Sequence, residues 1–463
     1  MPDIDLQSIM AGLEARLKPF GKSSEAIPRL PVDGMNQDAV LGLIRGFTES
    51  ENLGWTEGKV SGAVYNGGEK LQRFLEGVYS AYSQTNGLHA DIWPSLTKFQ
   101  NEIVSMCSGI MHGDEHTRGA VTSGGTESIL LAMKTYRDHY RKTKGITEPE
   151  IIIPSSAHAA FLKACDYFCM KPVIVKLDEN FTADTEQVKE KLSKNTVAIV
   201  GSMPSFPFGT FDPIGELSNI ARENGIGMHV DACLGGFIDP WARELGYPIP
   251  DFDFDLPGVT SISMDTHKYG YAPKGTSVIL YRNGDLFQEQ IYATGNWQGG
   301  IYFTPTMAGS RPGYPIAAAW AVMVTMGERG YREAAKKILE TGKYIIGEAK
   351  KMDDVRIMGN PLWVVAMTSD SLDPYVISEA MSNRNWVLNG LSKPPAFHIA
   401  LTLRHTLDGV KESFVSDLRS SIEETKTGSA NASGMAPVYG LAATLPRESV
   451  DLFLRKIVEW LYS

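Results

Sequence analysis

The sequence predicts an α/β protein with a mostly parallel central sheet covered by helices on both faces, followed by a smaller C-terminal α/β domain. Three observations predict it. Short apolar runs recur at 151–153, 173–177, 197–200, 227–230, 261–264 and 278–281, the pattern of strands buried on both faces. Helix-like segments at 159–168 and 213–224 lie between several of them. A Gly/Ser/Thr-rich turn at 122–128 leads into a helical stretch at 129–140 with few breakers. In such sheets ligands bind beyond the carboxyl ends of the strands, so the residues just after each run are the ones to inspect.

At 463 residues the chain is long enough for a large core and more than one domain. Hydrophobic residues make up 43% and charged residues 21%, the balance of a globular protein rather than a disordered one. The net charge of −10 argues against a nucleic-acid or anionic-membrane binder, since either needs a concentrated basic surface. Cys107, Cys165, Cys169 and Cys233 complete no metal pattern and are expected reduced and buried. With no signal peptide and no stretch that could span a bilayer, the expected location is cytoplasmic and soluble.

Residues 1–60 read as an N-terminal helical extension, with Leu6, Ile9, Met10, Leu13, Leu17 and Phe20 on one helical face. Pro28, Pro31 and Gly34 end that pattern. Residues 61–325 hold the alternating strands and helices, and 326–463 form the smaller domain. In the latter, a helix at 332–351 precedes strand-like runs at 363–367 and 398–403, and 425–433 reads as a loop.

Lys268 stands just past the 261–264 run, crowded by His267 and Tyr269. Desolvation there lowers an amine's pKa and favours the neutral form needed to make an imine. Asp231 ends the 227–230 run, where a carboxylate can hold a pyridine nitrogen protonated. Taken alone, a carboxylate there is more often a helix cap or an ion-pair partner. In Thr122-Ser-Gly-Gly-Thr-Glu-Ser128, Gly124 and Gly125 permit close backbone approach and Thr126 adds a hydroxyl, so a helix start can cradle a phosphate. His158 follows the 151–153 run and reads equally well as a ring-stacking group or a satisfied core histidine.

Phosphate turn, stacking histidine, pyridinium aspartate and imine lysine, in that order, resemble the fold-type I enzymes of pyridoxal 5′-phosphate (PLP), and the group II decarboxylase branch in particular. Longer stretches are similar to the sphingosine-1-phosphate lyases. They are Asn86-Gly-Leu-His-Ala-Asp-Ile-Trp-Pro94, the 121–128 turn, His229-Val-Asp-Ala-Cys-Leu-Gly-Gly-Phe237 and Asp265-Thr-His-Lys-Tyr-Gly-Tyr-Ala-Pro-Lys-Gly275. Trp297-Gln-Gly-Gly-Ile-Tyr302, Ala308-Gly-Ser-Arg-Pro-Gly313 and Tyr439-Gly440 extend the likeness toward the C-terminus.

The resemblance implies PLP carried on Lys268 and retro-aldol cleavage of a phosphorylated long-chain base to phosphoethanolamine and a long-chain aldehyde. It places Gly124, Gly125, Thr126 and His267 around the cofactor phosphate, His158 and Asp231 on its ring, and Lys268, Asp231, His158 and Tyr65 in catalysis. Tyr65, Asn86, His89 and Lys274 match positions around the substrate phosphate, with Ser310 and Arg311 near the mouth. Gly300 is implied to reach the cofactor phosphate of a neighbouring subunit, hence a homodimer with shared sites. Phe208 stands where the family usually has histidine, and Asn296 where it often has aspartate. Eukaryotic relatives carry an N-terminal membrane segment that this sequence does not show, which implies a bacterial-type enzyme. A PLP-dependent amino-acid decarboxylase shares the fold and the lysine, aspartate and histidine roles, and is the rival. A catalytically silent scaffold predicts loss of Lys268 or Asp231, and both are present.

Overall fold

The computed structural model describes residues 14, 17–20, 27, 29–51, 54–429 and 446–463. Leu6, Ile9, Met10 and Leu13 of the expected N-terminal face, residues 430–433 of the expected loop, and Tyr439-Gly440 lie outside the described residues.

Seven strands form the main sheet: β1 (Arg118–Thr122), β2 (Glu150–Pro154), β3 (Lys171–Val175), β4 (Thr196–Ser202), β5 (Gly227–Asp231), β6 (Ser261–Met264) and β7 (Ser277–Tyr281). Their spatial order is β1-β7-β6-β5-β4-β2-β3. The pairs from β3 through β6 are parallel, and β7 alone runs against its neighbours. All seven residues of β4 and all five of β2 and β5 are buried, which explains their unbroken apolar runs. Full burial of one such Val or Ile stabilises the fold by about 1.5–3 kcal/mol. Six of these strands match the runs in the sequence. The seventh, β1, does not stand out, because Arg118-Gly-Ala-Val-Thr122 opens with a charged and a flexible residue.

Helices Gly125–Lys144, Ala160–Tyr167 and Ile214–Glu223 connect the strands. The first packs its buried face, including Ile129, Met133 and Tyr136, into the sheet core. Glycine is required where backbone elements meet closely. At Gly209 φ is +67°, and a Cβ would lie 1.9 Å from the Val364 carbonyl oxygen. Gly209→Ala is therefore expected to lower stability by about 2–4 kcal/mol, read as an earlier urea midpoint at unchanged slope. A midpoint equal to the wild type's would refute the close approach.

A second sheet of four strands has the order β10 (Arg356–Ile357), β11 (Val364–Thr368), β13 (Pro395–Ala400) and β12 (Asn389–Ser392). Strands β8 (Tyr292–Thr294) and β9 (Tyr302–Thr304) make a separate antiparallel hairpin. The long helix Gly313–Ala349 begins well before the expected helix at 332–351 and is broken at Gly327, where φ is +56°. The chain divides into two compact units, one of 63–342 with 358–364, the other of 1–62, 343–357 and 365–463. This partition differs from boundaries at 60 and 325, because the helix runs on past 325 and because 60–62 bond to the 387–400 segment. Ser61 N donates to the Val387 carbonyl, and Gly62 N to that of Ala400. The expected loop at 425–433 begins inside the Val410–Lys426 helix.

Cys107, Cys165 and Cys233 are buried as expected, but Cys169 is exposed. It sits past the end of the Ala160–Tyr167 helix in a left-handed backbone conformation (φ +52°), where the chain turns outward before β3. Among the described residues, no helix is long and apolar enough to cross a membrane.

Candidate active site

The carboxyl ends of β4, β5 and β6 lie side by side, with Ser202 opposite Asp231 and Asp231 opposite Ser263. A pocket of about 330 Å³ opens there, lined among others by Gly124, Gly125, Thr126, His158, Asp231, His267 and Lys268. Three loops that are far apart in sequence thus meet at one crevice, as the strand order requires.

The turn after β1 gives the pocket its floor. Gly124, the residue before the Gly125–Lys144 helix, has φ +156° and supplies no side-chain cap, so the helix start borders the pocket without a capping side chain. A Cβ at Gly125 would come within 2.8 Å of the Asp265 carboxylate and 2.9 Å of Cys233 Sγ. Glu127, which sequence reasoning did not single out, fastens the turn by accepting from Ser123 N at 2.5 Å and from Met307 N at 2.7 Å.

His158 belongs to the pocket and not to the core. Its Nδ1 accepts from Ala160 N at 3.1 Å, which fixes the ring, and its edge meets Phe206 at a centroid distance of 6.3 Å. Asp231 is 7% exposed; its Oδ1 accepts from Cys233 N at 3.1 Å and from Ser263 Oγ at 3.5 Å.

Lys268 departs from the sequence expectation of a neutral amine. Burial does push its amine down, but the Asp265 carboxylate, 2.9 Å from Nζ, more than reverses this and holds the ammonium. Burial likewise opposes charge on Asp265, and the Lys268 and His267 charges outweigh it. Asp265 lies three residues before Lys268 in the turn between β6 and β7, and no periodicity marks such a partner. His267 lies with Nε2 3.6 Å from Asp265, while its buried Nδ1 has no hydrogen-bond partner. Burial pushes its imidazole below the usual histidine range.

Tyr65 and Lys274 stand beside this pocket without lining it. The Tyr65 ring meets Tyr269 edge-on at 4.9 Å, and Lys274 Nζ lies 4.5 Å from the Tyr65 ring centre. Burial pushes the Tyr65 phenol up to about 12, with the Lys268 charge opposing it. Partial burial, reinforced by the Lys268 charge, depresses Lys274 to about 8.

Asn86, His89 and Gly300 are not among the pocket-lining residues. Asn86 is bound to the 310–312 segment, donating to Ser310 Oγ at 3.0 Å and accepting from Arg311 N at 3.1 Å. His89 is half exposed. Arg311 is a tie rather than a free group at the mouth, with Nη1 donating to the Val121 carbonyl at 3.1 Å and Nη2 to that of Gly87 at 3.4 Å. Gly300 (φ +102°) tips the β8–β9 hairpin, beside Ile301 and Phe303, which are 82% and 66% exposed. Phe208 is buried against Phe181 at 4.9 Å, so the aromatic that lines the pocket from this loop is Phe206. Asn296 lies in the exposed hairpin.

The site suits PLP on its own chemistry. It offers helix-start N–H groups without a side-chain cap and an orphaned imidazole nitrogen for a phosphate, a buried carboxylate for a pyridine nitrogen, and a lysine in the same pocket.

Comparison with known proteins agrees with this reading. Residues 54–365 match the pyridoxal-dependent decarboxylase conserved domain. The chain is 43% identical to sphingosine-1-phosphate lyase 1 of Mus musculus over 450 residues, covering 96% of this chain and 79% of that protein. It is 41% identical to the sphingosine-1-phosphate lyase of Arabidopsis thaliana over 454 residues, 96% of this chain and 82% of the other. Among solved structures it superposes on the Burkholderia pseudomallei sphingosine-1-phosphate lyase with a TM-score of 0.87 and 39% identity, over 93% of this chain and all of that one. A Lactobacillus brevis glutamate decarboxylase at 19% identity, with a TM-score of 0.75 over 88% of this chain and 96% of that one, shares the fold.

Proposed function

Because the chain belongs to the sphingosine-1-phosphate lyases, within the pyridoxal-dependent decarboxylase family, we infer that its pocket performs PLP-dependent carbon–carbon cleavage of phosphorylated long-chain bases. The products are phosphoethanolamine and a long-chain aldehyde. The observation that carries the reading is the meeting of Lys268, Asp231, His158 and the Gly124–Gly125 turn in one pocket of a chain so similar to these lyases.

When bound, PLP supplies an electron sink for the charge left as the bond beside the amino-bearing carbon breaks. Gly124, Gly125 and Thr126 hold its phosphate by helix-terminal N–H groups, with His267 Nδ1 as a further partner. His158, its ring fixed by the Ala160 N–H, presents a face to the cofactor ring. Asp231, at the end of a rigid parallel strand, keeps the ring nitrogen protonated. Lys268 would hold the cofactor through Nζ and, as a free amine, would carry a proton there, with the Asp265 carboxylate 2.9 Å away to balance its charge. Burial keeps the Tyr65 phenol protonated at neutral pH, so it can donate a hydrogen bond in the site.

Lys274, stacked on Tyr65, holds the substrate phosphate as a point charge. Asn86, His89 and Gly300 belong on this reading to a site shared with a second copy, for which the exposed apolar hairpin around Gly300 is a suitable contact.

A lysine depressed to about 8 keeps its charge below that pH and loses it above. The free enzyme's kcat/KM for a phosphorylated base should therefore fall as pH rises through about 8, and Lys274→Met should flatten the profile while raising KM about tenfold or more. Identical profiles for the two proteins would remove Lys274 from the phosphate site.

The deciding experiment incubates PLP-loaded protein with sphinganine 1-phosphate and reads the products by mass spectrometry, with unphosphorylated sphinganine alongside. Both products from the phosphorylated base alone are expected. Carbon dioxide from amino acids, with no aldehyde from the lipid, would overturn the reading in favour of a decarboxylase.

A further inference from the structure

Behind Asp231, strands β5 and β6 present a row of polar side chains in the middle of an apolar sheet. His229 lies two residues before Asp231 on β5, so both side chains stand on one face. Ser261 and Ser263 stand opposite them on β6, in the register His229 with Ser261 and Asp231 with Ser263. His229, Ser261 and Ser263 are completely buried. Such a row costs stability unless each member is paired, and here each one is.

Tyr136 Oη, from the Gly125–Lys144 helix on that face, lies 2.5 Å from Ser261 Oγ. Ser261 Oγ lies 2.7 Å from His229 Nδ1. His229 Nε2 lies 3.2 Å from Ser263 Oγ, which reaches Asp231 Oδ1 at 3.5 Å.

The chemistry of the ends gives this chain a direction. A carboxylate only accepts, so Ser263 donates to Asp231. Burial pushes the His229 imidazole down to about 4, against the pull of Asp231, so the ring is neutral, with one N–H and one lone pair. Ser263, having given its proton to Asp231, accepts from His229 Nε2–H. His229 Nδ1 then accepts from Ser261, which stands beside Tyr136 Oη, itself also 2.8 Å from Thr260 Oγ1 and 3.3 Å from the Met228 carbonyl oxygen. From Ser261 to Asp231 the hydrogen bonds point toward the carboxylate, and successive bonds polarise one another in that sense.

We propose that His229, as its Nε2–H tautomer, and Ser263 are positioning residues that hold Asp231 as an oriented anion and so keep the cofactor's ring nitrogen protonated. This rests on the reading of Asp231 as the partner of that nitrogen. The residues never touch the substrate; they act through Asp231 alone.

The test binds PLP labelled with nitrogen-15 in the ring to the full-length protein and records its resonance together with the cofactor dissociation constant. The wild type should show a protonated ring nitrogen. Ser263→Ala should move the resonance toward the unprotonated position and weaken PLP binding about tenfold, with a urea midpoint lowered by the buried His229 N–H left unpaired. Ser263→Thr, which keeps the hydroxyl, should restore both readings. Ser261→Ala should shift the resonance the same way by a smaller amount. A wild-type resonance and affinity in Ser263→Ala would overturn the relay while leaving Asp231 in its role. A wild type that takes up no PLP, or whose ring nitrogen is unprotonated, would overturn the reading of Asp231 and the relay with it.

Discussion

Turnover in Lys268→Ala should fall at least about a thousandfold, because the amine proposed to carry the cofactor and move the proton is gone. The same variant should bind PLP without the absorption of a covalent lysine adduct. A second effect follows from the geometry. Asp265 is 1% exposed and its close charged partner is Lys268, so truncation leaves a carboxylate buried beside His267 alone. Breaking such a pair costs about 2–3 kcal/mol once the partial exposure of the lysine is allowed for. Lys268→Arg separates the two roles. It keeps a cation beside Asp265 and so keeps most of the stability, yet it cannot carry the cofactor. Comparing kcat and thermal midpoint across the two variants checks this. Appreciable turnover in Lys268→Arg would remove covalent attachment from the mechanism, and equal midpoints in wild type and Lys268→Ala would show that the ion pair contributes nothing to folding.

Asp231→Asn should lower kcat about a hundredfold to a thousandfold while leaving the fold intact, the size of effect seen when one preorganised electrostatic partner of a transition state is removed. The replacement is close to isosteric. Its carbonyl can still accept from Cys233 N and Ser263 Oγ, so the loop after β5 keeps its anchors. What disappears is the negative charge, and with it the tendency of the ring nitrogen to hold a proton. The measurement is kcat beside a urea curve. Activity within about threefold of the wild type would mean that the charge at this strand end is not used in the reaction.

The chemistry was legible because parallel sheets bury their strands and expose the residues that follow them. Asp231 ends one apolar run, Lys268 follows another by four residues, and the phosphate turn opens a helix, so position along the chain already separated them from surface charges. The same logic failed at β1, whose five residues open with arginine and glycine. Tyr65, Asn86, His89 and Gly300 carry no such signal. Resemblance alone drew them out, and the structure sets Tyr65 beside the pocket and leaves Asn86, His89 and Gly300 off its walls. Arg311 reads as a loop charge, yet it is spent on the carbonyls of Val121 and Gly87.

By itself, then, the sequence determined the parallel sheet and the order in which the proposed cofactor-binding elements occur, because hydrophobic periodicity and turn chemistry are local properties of the chain. The protonation of that lysine was decided only in three dimensions. Sequence supplied the desolvation argument, which points to a neutral amine, but the folded turn brings the Asp265 carboxylate within 2.9 Å and reverses the sign. The row from Tyr136 to Asp231 was likewise invisible, since its members come from one helix and two strands and meet only through strand register. Electrostatics depends on distances of a few ångströms, which the folded turn sets for Asp265 and Lys268 and strand register sets for the row behind Asp231.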